Sequence, residues 1–363
     1  YQRPGHELEV DGDLKLRCRD ADARIVEDAL RKQLYQAKDF PADKVFEPYL
    51  ELPKTIEGYH HGVVRREVTL AADEKNDVVS HSYVSQLSSE SDLENLKFPD
   101  IRVDEAKDKK RWEKVSEMVS GILPVRLTGV RMFHCGIWDD LVEAIGTDNF
   151  FFFFADEPEL LHKAARRMAD ICQSLIDQLT EKQLFDAYEP TVHCTGAYTD
   201  ELPQDKEKNV RPGDVWTFGL AQMLGSVSPQ MFEEYEVEYV KPLLEQFGLV
   251  YYGCCEPLHN RIDYIRKIKN VRKISMSPWA DIRAGAEHIH GDYVISRKPN
   301  PAYLAAASFE PELVRRELQE TCRAAKENGC TCELILKDVS TVQYHPERLA
   351  QWHKIAVEVA GEW

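Results

Sequence analysis

From Pro124 onward, short β-rich runs alternate with longer stretches whose apolar residues recur at helical spacing. Val125 to Phe133, Asp186 to His193, Leu249 to Gly253, Val271 to Met276, Tyr293 to Ser296 and Cys332 to Leu336 read as strands. Helices are predicted over Asp139 to Ile145, Pro158 to Thr180, Ser228 to Phe247, His259 to Ile268, Ala280 to His288, Glu310 to Asn328 and Pro346 to Val359. Ser228 can cap its helix, with Pro229 at the first helical position, and Gly329 closes the helix before it. The richest apolar run, Phe150 to Ala155, reads as a strand buried on both faces.

The first 120 residues lack this alternation. Ala21 to Ala37 and Lys107 to Ser120 read as charged amphipathic helices. Gly62 to Leu70 and Val78 to Leu87 read as strands, and Ser88 to Asp100 as a polar connector. The expected organisation is an N-terminal α+β extension over 1–120 packed on an α/β body over 121–363. Repeated strand–helix units over ~240 residues predict a (β/α)8 TIM barrel, with an open doubly wound sheet as the alternative. No Gly-x-Gly-x-x-Gly follows a strand and no Gly-x-x-x-x-Gly-Lys occurs, which weakens a nucleotide-binding reading.

Composition narrows the function classes. The chain is 43% hydrophobic and 30% charged, as a folded protein should be. Its formal net charge of −17 repels phosphate backbones, so nucleic acid is not an expected partner. No apolar run reaches the ~18–20 residues of a membrane span, and no secretory signal opens the sequence. Nine scattered cysteines do not form a disulfide framework. The expected setting is a reducing cytoplasm with free thiols, some available to a metal.

In a parallel barrel the chemistry gathers where strands end. The polar residues at those points are His134 and Cys135, Asp139 and Asp140, His193 and Cys194, Cys254, Cys255 and Glu256, Arg297 and Lys298, and Lys337 and Asp338. If the strand through Tyr252 persists, alternation puts Cys254 and Glu256 on one face and Cys255 on the other. Thiolate and carboxylate both suit zinc, so Cys254 and Glu256 form a candidate half-site, with burial of both cysteines as the rival reading. No Gly-x-Ser-x-Gly elbow is present for serine catalysis.

The stretch Gly225-Ser226-Val227-Ser228-Pro229-Gln230-Met231-Phe232, followed by Tyr239-Val240-Lys241-Pro242, resembles the Ser-Pro-x-Met-Phe helix and Lys-Pro of the uroporphyrinogen decarboxylase superfamily. Leu96-Lys97-Phe98-Pro99 and Leu123-Pro124-Val125-Arg126 are similar to the same family. The resemblance implies a TIM barrel and a homodimer. The decarboxylase's Arg-Gln-Ala-Gly-Arg loop is missing, so the methyltransferase branch fits better. That branch implies zinc, a partner protein carrying a corrinoid, and a small methyl donor or acceptor.

The family's His-x-Cys falls on Tyr252 and Cys254, and its last cysteine falls near Lys337 to Val339, where none occurs. A variant metal site of Cys254, Glu256 and His193 is therefore the expectation. His193 doubles as a general base, while Asp338 and Lys298 orient the substrate. The alternatives are a metal-free decarboxylase or lyase of a small acid, and a non-catalytic ligand-binding barrel.

Overall fold

The computed structural model describes residues 4–9, 12–70, 79–187, 190–203 and 208–363. Within them the chain is a mixed α/β protein with thirteen α-helices and a six-stranded parallel sheet. Its strands are β1 (Met132–Cys135), β2 (Trp216–Gly219), β3 (Leu249–Tyr252), β4 (Val271–Met276), β5 (Val294–Arg297) and β6 (Cys332–Leu334). They lie side by side in chain order. Parallel neighbours need long crossovers, and the intervening segments provide them with helices. All four residues of β2 and of β3 are buried, as expected of strands covered on both faces.

Register aligns the carboxyl ends. Cys135 pairs with Gly219 and Gly219 with Tyr252, while Met276 pairs with Arg297 and Arg297 with Leu334. Residues just beyond these positions therefore share one edge of the sheet.

β4 spans the predicted residues, and the Ser228 cap forms, its Oγ accepting the Met231 N–H at 3.2 Å. Four expectations are corrected. The strand expected from Val125 to Phe133 is split into Val125–Thr128 and β1. Between them the backbone presses on its neighbour: a Cβ at Gly129 would meet the Leu184 carbonyl oxygen at 2.3 Å, and Val130 bridges to Phe185.

Phe150 to Ala155 is not a strand but part of the helix Thr147–Asp156. Phe150 and Phe154, one turn apart, pack on Trp138 with ring centroids at 5.8 and 6.4 Å, while Phe151 and Phe152 are exposed. In place of the strand expected from Asp186 to His193 there is a short hairpin, Thr191–Val192 with Thr195–Gly196; residues 188–189 lie outside the described residues. The helix from Ser228 is interrupted by a π-helical turn, Glu233–Val237, which buries Tyr235, Glu236 and Val237 in succession. β2 was not expected at all.

The N-terminal region holds helices Ala21–Asp39 and Glu105–Met118, N-capped by Asp20 and Asp104. Lys114 joins them through Asp20 at 2.9 Å and Asp22 at 2.6 Å. Val26, Leu50, Leu52, Val115 and Val119 make a small core beneath. Leu50–Pro53 pairs in parallel with Val125–Thr128, so this region shares a sheet with the chain that follows. The hairpin Glu67–Leu70 with Ser80–Tyr83 covers part of both strands expected here; residues 71–78, Val78 included, lie outside the described residues. None of the described helices is long and apolar enough to cross a membrane.

Candidate active site

The site begins where β3 ends. Gly253 takes φ +94°, and a Cβ there would meet Leu258 Cδ1 at 2.3 Å and Ser275 Cβ at 3.0 Å. Only glycine fits that turn. The turn stops strand alternation, so the expectation that Cys254 and Cys255 face opposite ways is overturned: their sulfurs lie 3.5 Å apart.

Both ends of the Cys254 peptide unit are held. Glu256 Oε2 accepts the Cys254 N–H at 2.8 Å, and Oε1 accepts the Ala221 N–H at 3.1 Å. Ser275 Oγ donates to the Cys254 carbonyl at 2.7 Å. Lys298 Nζ in turn donates to Ser275 Oγ at 2.5 Å and to Tyr251 Oη, which also bonds Ser296 Oγ at 2.7 Å.

A cation completes the arrangement from the other end of the sheet. Lys337, three residues beyond β6, is buried with its Nζ 3.1 Å from Cys254 Sγ and 3.7 Å from Cys255 Sγ. The same ammonium lies 3.1 Å from Asp338 Oδ2 and 3.5 Å from His193 Nε2. The single Cys255 S–H lies within reach of two acceptors, Cys254 Sγ at 3.5 Å and Asp338 Oδ2 at 3.4 Å, and serves one of them at a time. The Cys254 thiol is held far below the ordinary thiol range by the hydrogen bond from Cys255, then by His193 and the Lys337 charge, all outweighing burial. Burial alone would lower Lys337, but the charge of Cys254 first, and that of Asp338 beside it, raise it. The geometry is that of a thiolate–ammonium pair.

His193 sits on the hairpin in a left-handed conformation, φ +53°. Its ring stacks on Phe218 of β2, with centroids 4.0 Å apart and planes 14° apart. Burial lowers its pKa, and its hydrogen bond with Cys254 only partly opposes this. His134 is exposed, its ring 5.3 Å from the same Phe218. Asp139 lies in the first turn of the helix Ile137–Ile145 after β1. Burial pushes its carboxyl up to about 7, Gln222 opposing through a 3.2 Å hydrogen bond and the charges of Glu256 and Cys254 adding to the rise.

The structure thus brings Cys254, His193 and Asp338 together. Lys298 lies beneath them, 2% exposed, spending donors on Tyr251 and Ser275. Glu256 turns both oxygens to backbone N–H groups. Among the described residues no three His, Cys, Asp or Glu side chains group to hold a metal ion. The Lys337 ammonium stands 3.1 Å from the Cys254 sulfur and would compete with a metal for it. The donor set, so arranged, does not fit zinc.

Sequence reasoning passed over three participants. Lys337 and Cys255 stand out in the sequence only as residues beyond strand ends, and Phe218 lies on the unexpected β2. A comparison with protein-family models found no match, and neither did one with curated proteins.

Proposed function

We propose that the chain is a methyltransferase of the kind its sequence resembles, in which the Cys254 thiolate itself takes the methyl group. The observation that carries this reading is the Lys337 ammonium 3.1 Å from Cys254 Sγ at the carboxyl edge of a parallel sheet. That edge is where such sheets do their chemistry. We take the six strands as part of a (β/α)8 barrel, with Leu50–Pro53, Val125–Thr128 and the bridge at Val130 as further staves.

The step uses this chain's own groups. Cys254 Sγ attacks a methyl carbon held over the Phe218 and His193 rings. The sulfur–carbon bond forms as the bond to the leaving group breaks, and the leaving group departs with the electron pair. Where that atom is oxygen or nitrogen, Asp139 supplies the proton. Lys337 keeps the sulfur anionic beforehand and releases it as its charge is quenched. The methyl donor is a small methylated molecule or a corrinoid protein, and the thioether then passes the group on.

The test is incubation with methylcobalamin and a panel of methylated small molecules, followed by peptide mass spectrometry and metal analysis. Methyl on Cys254, absent in Cys254→Ser, is the expected result. About one zinc per chain, lost in Cys254→Ser, with no methylation would overturn thiolate chemistry in favour of a zinc-bound thiol. Neither methyl nor zinc would overturn the methyltransferase reading and leave a metal-free lyase or a binding barrel.

A further inference from the structure

We propose that Cys254 and Cys255 form a reversible oxidation site, closed to a disulfide within the dipeptide by a hydroperoxide and reopened by a thiol. The sulfurs stand 3.5 Å apart, so they need approach only to the ~2.05 Å of a disulfide bond. Lys337 lies against both sulfurs, and Asp338 accepts the Cys255 thiol proton. One sulfur is thereby prepared as the attacking thiolate and the other as the thiol that resolves.

The steps balance. Cys254 Sγ attacks one peroxide oxygen; the sulfur–oxygen bond forms, the oxygen–oxygen bond breaks, and the alkoxide or hydroxide leaves with the electron pair and is protonated by solvent. Cys254 is now a sulfenic acid. Cys255 passes its proton towards Asp338, and its sulfur attacks Cys254. The sulfur–sulfur bond forms as hydroxide leaves and is protonated to water. The sulfur pair loses two electrons and the peroxide gains them.

Adjacency makes the product labile. Neighbouring Cα atoms are ~3.8 Å apart across a trans peptide, closer than the ~4.4 Å lower limit usual for disulfides. Strained disulfides are the easily reduced, regulatory kind. Closure also removes the thiolate from Lys337, so it would silence any chemistry that depends on Cys254.

A second thiol pair gives an internal control. Cys135 and Cys172 share a hydrogen bond and, like Cys254, are buried; what differs is the charge around them. Burial and the Cys172 contact raise the Cys135 thiol, and no cation stands among the groups that set it. This pair should stay reduced.

The experiment treats the reduced full chain with hydrogen peroxide, blocks free thiols with iodoacetamide and maps the peptides by mass spectrometry. Two of the nine thiols should disappear, both in the peptide carrying Cys254 and Cys255, and dithiothreitol should restore them. Cys255→Ser should stop at a sulfenic acid on Cys254 that dimedone traps. Lys337→Met should slow the first step by at least ~10-fold, since the thiolate is the reactive form. The inference is overturned if both cysteines stay alkylatable, if Cys254 proceeds to sulfinic acid with Cys255 free, or if Cys254 bridges to a cysteine elsewhere. These readouts follow sulfur alone, so they succeed or fail independently of methyl transfer.

Discussion

Tyr251 and Tyr252 are adjacent on β3 and point to opposite faces of the sheet. Both are fully buried, yet they serve opposite electrostatic worlds. On the Tyr251 side, the Cys255 thiol, His193 and the Lys337 ammonium together hold the Cys254 thiol in its ionised form. On the Tyr252 side lies Glu236, also fully buried. Its Oε1 accepts one hydrogen bond, from Tyr252 Oη at 2.8 Å, and among the described residues its Oε2 has no partner. Burial pushes that carboxyl well above its ordinary range, the Tyr252 hydrogen bond opposing only in part. Dryness is common to both sides. What separates a buried anion from a buried neutral acid is a cation delivered by a distant strand.

The largest way to break this comparison is Lys337→Met. Cys254 alkylation by iodoacetamide at about pH 6, well below the ordinary thiol pKa of ~8.5, should fall ~10- to 100-fold. Lys337→Arg should keep much of the rate. An unchanged rate in Lys337→Met would mean that Cys255 and His193 suffice without the ammonium.

Tyr252→Phe tests the other side. It removes the one donor to Glu236 and should destabilise the fold by about 1–3 kcal/mol in urea unfolding. No loss would show that Glu236 gains nothing from that bond.

A third test reads a difference in pH slope. Glu236 has a folded pKa above its unfolded value of ~4.3. The unfolded chain therefore releases this proton first, and the contribution to stability declines as pH rises from ~4.3 towards the folded value. Cys254 behaves oppositely: its folded pKa is lowered, so the unfolded chain binds more protons and stability rises with pH up to ~8.5. Urea unfolding from about pH 5 to 8 should show Glu236→Gln gaining on the wild type as pH rises and Cys254→Ser losing ground. Parallel curves for all three proteins would remove the contrast.

Much of the sheet was legible because it rests on local pattern. β4 carries Val271, Ile274 and Met276 in a short run set off by Asn270, and Ser228-Pro229 marks a helix start by backbone chemistry alone. The failures share another cause. Five phenylalanines in a row, Phe150 to Phe154, satisfy strand and helix equally, and only the Trp138 ring below decides between them. β2 is four residues long and ends in glycine, so its brief Trp216-Thr217-Phe218 alternation does not stand out. At the site, Cys254 was recognisable as a strand-end thiol, but the turn at Gly253 is set by Leu258 and Ser275 around it. Lys337 is 83 residues away, and no local signal ties it to a cysteine.

That separation matters during synthesis. The sulfur emerges from the ribosome long before the lysine that activates it, and before the last parallel strand can dock. Until then Cys254 lacks the ammonium that helps hold it as a thiolate, and it reacts more slowly with electrophiles. Full reactivity waits until the segment carrying Lys337 is made and docked, so the sulfur is less open to chemical damage while the chain is still emerging. The same delay makes acid-side alkylation of Cys254 a reporter of whether a newly made or refolded molecule has seated its carboxyl-terminal segment.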